Sequence, residues 1–143
     1  MFALKDRETF DIETLVRRGE SAVATREYNA DLRRLLPWPG HVNSKRPLTE
    51  FGAILVTIRP QEDVDAHRHD EEECFIVTAG QADLEIEGQL TQLSVGDVVY
   101  IPRFWMHKLR NPNSESFVFV DLYWDGKGRS FETYCAAELE EAL

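Results

Sequence analysis

The sequence predicts an all-β domain, a closed barrel or jelly roll running from Phe51 to about Trp124. Two observations carry this. Short apolar or alternating runs follow one another between turn residues, with no helical pattern among them. The longest apolar run, Phe117 to Trp124, has the character of a central strand.

Before the barrel, Asp11 to Arg18 predicts a short helix with Ile12, Leu15 and Val16 on one face and Gly19 as its stop. Val23 to Asn29 reads as an extended segment. Asn29 then suits the N-cap of a turn or two of helix through Asp31 to Leu36, ended by Pro37. Pro37-Trp38-Pro39-Gly40 forces a loop. Residues 1–50 therefore read as an arm that packs outside the barrel or onto a second subunit.

Within the barrel region, Ile54 to Ile58 is a strand stopped by Arg59-Pro60, and Cys74 to Thr78 is another, ended at Ala79-Gly80. Leu84-Glu85-Ile86-Glu87 alternates apolar and charged residues before Gly88, the pattern of an antiparallel strand with one wet face. Val98 to Ile101 and Met106 to Arg110 follow, then the run to Trp124. After Gly126 and Gly128, Ser130 caps a predicted helix carrying Phe131, Tyr134, Cys135 and Leu139. The division is thus an arm (1–50), a barrel (51–125) and a helical tail (126–143).

A chain of 143 residues suits one domain with a core large enough to need no disulfides. Its formal net charge of −10 repels phosphate backbones and anionic bilayers, so neither nucleic acid nor membrane is an expected partner. Cys74 and Cys135 form no disulfide framework, and Cys74, alternating with Glu73 and Phe75, is expected to face away from them as a small core hydrophobe. With no basic start leading into an apolar run, and no apolar run of membrane-spanning length, a cytoplasmic location is expected.

The chemistry concentrates in two stretches. His67 and His69 are spaced i and i+2, so on one strand they present two imidazoles side by side. Glu73 keeps that parity if the strand resumes after the acidic turn. His107 joins them only if a second strand pair closes over the first. Three neutral imidazoles and a carboxylate suit Fe, Mn, Ni, Co or Zn and leave positions for substrate or water.

The full patterns are His-x-His-x3-Glu-x6-Gly, from His67 to Gly80, and Gly-x5-Pro-x4-His-x3-Asn, from Gly96 to Asn111. Together they resemble the two signature motifs of the cupins, with Gln81 to Val95 as a short spacer. Two positions depart from the motifs: Gln61 and Phe104 stand where glycines are usual, and Phe104 leaves the shape of its turn open. The resemblance implies a double-stranded β-helix and one divalent transition metal on His67, His69, Glu73 and His107. The register selects Glu73 over Glu71 and Glu72. Fe2+ is the first expectation, with Zn2+, Mn2+ or Ni2+ as alternatives.

A homodimer is also implied, with the arm lying on the neighbouring subunit. So is an enzyme acting on a small molecule, first of all by non-haem Fe(II) dioxygenase chemistry. The alternatives are a non-oxidative metal cupin (lyase, isomerase, cyclase or N–N bond-forming enzyme) and a cupin that binds without turnover.

Around the ligands, Phe75 and Val77 share the parity of Glu73 and are expected to form an apolar cavity floor. Phe104 and Trp105 either wall the metal or pack beneath a loop. Tyr123 and Tyr100 are the candidate proton donors or acceptors, since a phenol beside a divalent cation ionises below its usual value. Arg59 offers a cation to substrate. Asn111-Pro112 is expected to fix the turn behind His107. Such a cavity favours a flat or aliphatic ligand with one polar end directed at the metal.

Overall fold

The computed structural model describes residues 12–19, 23–36 and 51–125. Ten strands occur among them: β1 (Ala24–Glu27), β2 (Ala30–Leu36), β3 (Phe51–Ile58), β4 (Asp63–His67), β5 (Glu72–Ala79), β6 (Ala82–Ile86), β7 (Gln89–Leu93), β8 (Val98–Ile101), β9 (His107–Arg110) and β10 (Phe117–Trp124). They form a six-stranded sheet, β1-β2-β3-β10-β5-β8, and a four-stranded sheet, β4-β9-β6-β7. Every pairing is antiparallel. This is the jelly roll the strand succession predicts.

Period-2 alternation builds the core. Ile54, Val56 and Ile58 of β3 are buried with Phe117 and Phe119 of β10, the register setting Ile58 opposite Phe117 and Val56 opposite Phe119. Leu84 and Leu109 are opposite each other across the smaller sheet and are buried in the same cluster. Each such side chain contributes roughly 1.5–3 kcal/mol by leaving water, so closing the two sheets face to face is what stabilises the barrel.

The N-terminal region departs from its predicted form. Ala30–Leu36 is a strand, not a capped helix, and it pairs with β3, setting Leu32 opposite Val56 and Arg34 opposite Ile54. Tyr28 and Asn29 take positive φ values of 55° and 63°, making a two-residue turn between β1 and β2. Leu32, Leu35 and Leu36 also fit a helical spacing, and pairing with β3 overrides it. The six-stranded sheet thus begins before residue 51, and this part of the arm lies on its own chain's barrel. The predicted 11–18 helix is only a 3₁₀ turn over Ile12–Leu15, with Ile12 exposed. Pro37 to Gly40 and the helix after Ser130 lie outside the described residues.

Two strands have no counterpart in the predicted elements. β4 (Asp-Val-Asp-Ala-His) and β7 (Gln-Leu-Thr-Gln-Leu) are short and largely polar, so their apolar signal is weak. Cys74 is half-buried rather than in the core, opposite Tyr100 on β8. Gln61 and Phe104, the two positions lacking the usual glycine, have φ of 66° and 68°. The chain keeps the left-handed geometry of those turns with side chains that adopt it at a cost of about 1 kcal/mol or more.

Candidate metal centre

β4 and β9 run antiparallel with His67 directly opposite His107, which brings together two histidines forty residues apart. β4 ends at His67. His69 reaches the same place through a bend, not along a continuous strand, and the Phe104 amide donates to its carbonyl at 3.0 Å. Arg103 anchors the bend from its other side, donating to the Asp70 carboxylate at 2.7 Å and to the Asp125 carbonyl at 3.0 Å. Glu73 arrives from β5, in the opposite sheet. The centre therefore exists only because the two sheets face each other.

The ligand atoms of His67, His69 and His107 lie within 4.8 Å of one another. Glu73 Oε1 is 2.6 Å from His69 Nε2 and 3.2 Å from His107 Nε2. The histidine tautomers follow from the hydrogen bonds on the far side of two rings. His67 Nδ1 donates to the Asp65 carbonyl at 2.7 Å and His107 Nδ1 to the Trp105 carbonyl at 3.0 Å, leaving both Nε2 lone pairs for a ligand.

The donor set fits a divalent transition metal. Glu73 Oε1 and His69 Nδ1 are buried without a partner of hydrogen-bonding geometry, although imidazole nitrogens close on Oε1. Neutral imidazoles and a carboxylate converging on one point are what such a cation requires. Electrostatics at the centre point the same way. Burial pushes the Glu73 carboxyl up, but His107 and His69 outweigh it and hold it well below the usual carboxylate range. Burial lowers the His67 pKa. At His69 burial also lowers it, while Glu73 raises it and prevails.

The ligands open onto a cavity of about 250 Å³. Phe75 and Tyr123 line it, the Phe75 ring 6.3 Å from that of His107 and 4.5 Å from that of Phe119. Tyr123 lies across Gly52, where a Cβ would stand 2.4 Å from the phenol oxygen. Burial pushes its hydroxyl pKa up to about 12.

The other expected site residues do not line this cavity. Val77 is in the core between the sheets, its amide donating to the Asp97 carbonyl. Tyr100 is exposed on the outer face of β8 and donates to Glu72. Phe104 and Trp105 are exposed on the turn before β9. Arg59 pairs with both Asp31 carboxylate oxygens, at 2.9 and 3.0 Å, on the outside of the barrel. Arg59, Tyr100, Phe104 and Trp105 face the outside, whereas Val77 faces inward on the same side of β5 as Phe75 but outside the cavity lining.

Sequence reasoning missed two contributors. Asp121 is buried in the cavity wall, opposite Ile54 and Phe75 in the ladder. Burial, then the neighbouring Glu73 carboxylate, push its carboxyl well above the usual range. The signal was present: Asp121 shares the parity of Phe119 and Tyr123 and is the one charged residue in the chain's longest apolar run. The second is the β1–β2 hairpin, which supplies Tyr28, Glu27 and Arg34 to the wall. Val23 to Asn29 reads as extended from the sequence, but the helical reading of Asp31 to Leu36 hides the strand that pairs with it.

An all-β barrel with a cluster of candidate metal ligands between its sheets defines the class, and similarity to known proteins supplies the family. The family model described as Cupin domain matches residues 54–123. The plu4264 protein from Photorhabdus luminescens is 32% identical, covering 85% of this chain and 98% of that one, with a TM-score of 0.67. The chain belongs to the cupin family. Among curated proteins, Gentisate 1,2 dioxygenase 1 of Aquipseudomonas alcaligenes is 31% identical over 88 residues, 61% of this chain. Mannose-1-phosphate guanylyltransferase of Sinorhizobium fredii is 28% identical over 129 residues, 85% of this chain. The chain spans about a quarter of the length of these curated relatives, 25% and 24% respectively. Among the described residues no helix is long and apolar enough to cross a membrane.

Proposed function

We propose that this cupin is a mononuclear metal enzyme acting on a small organic molecule, by non-haem Fe(II) dioxygenase-type chemistry. The observation that carries the reading is the convergence of His67, His69, His107 and Glu73 on one point at a cavity of about 250 Å³. A metal bound by these residues supplies a Lewis-acidic centre with open positions and, as Fe(II), redox chemistry with dioxygen. The similarity to a gentisate dioxygenase supports the oxidative form of the reading.

The chain's own residues have separable tasks. His67 and His107 are oriented by the carbonyls of Asp65 and Trp105. Phe75, Phe119 and Val56 give the cavity apolar walls that exclude water from a bound ligand. Burial raises the pKa of both Asp121 and Tyr123, which favours the protonated form of each and a role as hydrogen-bond donor toward the cavity. A ligand with a flat or aliphatic body and an oxygen-bearing end fits this distribution.

The test is anaerobic purification, metal analysis by mass spectrometry, then an oxygen-uptake screen of the Fe(II)-loaded protein against small aromatic and aliphatic acids and phenols. Metal-dependent oxygen consumption with at least one of them is expected. Tight metal binding with turnover that needs no oxygen would move the protein to the non-oxidative cupins. Metal binding without turnover of any compound would make it a binding protein.

A further inference from the structure

We infer that Tyr28, in the β1–β2 turn, is a positioning residue of the metal centre that holds the His67 imidazole in its ligating orientation. The inference rests on the reading of this centre as a metal site. Three observations converge on it. The Tyr28 ring stacks on the His67 ring, with centroids 4.9 Å apart and planes 16° from parallel. Tyr28 lines the cavity. Its backbone has φ +55°, a conformation that a bulky residue adopts only under strain and that glycine takes freely.

A two-residue hairpin turn has no need of tyrosine, and asparagine or glycine would serve it better. The chain keeps a strained, 57% exposed aromatic there, with one ring face against a metal ligand. Strain retained beside a site points to a task for the side chain.

The hairpin is built to hold that ring still. Arg34 bridges to Glu27 at 2.8 and 3.1 Å across its two strands. Arg26 pairs with Asp31 and Glu62, and Arg59 with Asp31, tying the hairpin to the turn that leads into β4. His67 is thus fixed on two sides. The Asp65 carbonyl sets its tautomer and the Tyr28 ring sets its plane. Tyr28 lies outside residues 54–123, so the site draws on a segment beyond the family's shared barrel.

The experiment is titration of the metal-free protein with Co(II), followed by visible absorption, for wild type, Tyr28→Gly, Tyr28→Asn and Tyr28→Phe. Glycine and asparagine both accept the turn's backbone, so the thermal midpoints of those metal-free variants should not fall below that of wild type. Their Co(II) affinity should drop about tenfold, the usual scale for removing a group that orients a ligand, with an altered ligand-field spectrum. Tyr28→Phe, which retains the ring, should stay within about twofold of wild type with the same spectrum. Unchanged affinity and spectrum in Tyr28→Gly and Tyr28→Asn would overturn the role, as would a loss in Tyr28→Phe equal to theirs. If wild type itself takes up no Co(II), the metal reading falls, and the role of Tyr28 with it.

Discussion

Asp121 and Glu73 put two carboxyl groups into one buried space, and the two resolve the conflict in opposite directions. The imidazoles outweigh burial and lower the Glu73 pKa, while burial, and then the Glu73 carboxylate, raise that of Asp121. A folded-state pKa above the unfolded value means that Asp121 contributes its full stability below about pH 4 and loses it as pH rises through the native value. Asparagine has nearly the same shape and no charge to suppress. In the metal-free protein Asp121→Asn should therefore gain stability relative to wild type as pH rises from about 4 toward 8. Thermal unfolding across that range checks this, and a less stable variant at pH 8 would show that Asp121 is ionised in the fold.

At the scale of elements, the barrel depends on a few side chains that close its irregular segments. Asn111 follows β9 and is fully buried. Its amide donates to the carbonyls of Ile58 at 3.1 Å and Glu115 at 2.8 Å, and its oxygen accepts from the Asn113 amide at 3.1 Å. One residue thus joins the end of β3 to the loop before β10, behind the strand that carries His107. Asn111→Ala removes the donor to the buried Ile58 carbonyl and the link to Glu115, and should cost about 1–3 kcal/mol. Denaturant unfolding would measure the loss. A cost below about 0.5 kcal/mol, the level of an ordinary surface change, would mean the loop satisfies itself.

Across the whole molecule, a metal bound between the sheets cross-links β4, β5 and β9 in the native state only. At a free metal concentration a hundredfold above Kd this adds about 2.7 kcal/mol of stability. For a chain of this size the melting temperature should rise by roughly 5–10 °C, and a chelator should reverse the rise. His67→Ala should show no such gain. The net charge of −10 favours cation uptake through its field, while protons compete for the imidazoles. Glu73 raises the His69 pKa, which strengthens that competition, so the metal-induced shift should shrink as pH falls. Differential scanning fluorimetry with and without metal, at several pH values, reads both effects.

Much of this protein was legible in its residues alone. The spacing of His67, His69, Glu73 and His107, with its resemblance to the cupin motifs, pointed to the candidate ligand cluster, and the glycine and proline punctuation marked out six of the eight barrel strands from β3 onward. These are local patterns, and a strand's side-chain period is a local property. Which face of each strand looks inward is not local. Tyr100 alternates with Val99 and Ile101, but Val98 is apolar too, so parity alone could not exclude it from the cavity. The same ambiguity set Arg59, Phe104 and Trp105 at the cavity, while Val77 faces inward as its parity predicts but outside the cavity lining. Ala30–Leu36 became a strand because β3 offered a free edge, a choice made by pairing rather than by propensity. That pairing, in turn, set Tyr28 on His67 and Arg34 in the cavity wall. The sequence by itself determined the candidate ligand cluster and most of the barrel; the closing of one sheet over the other decided which further residues surround that cluster, because facing and pairing exist only once both sheets are assembled.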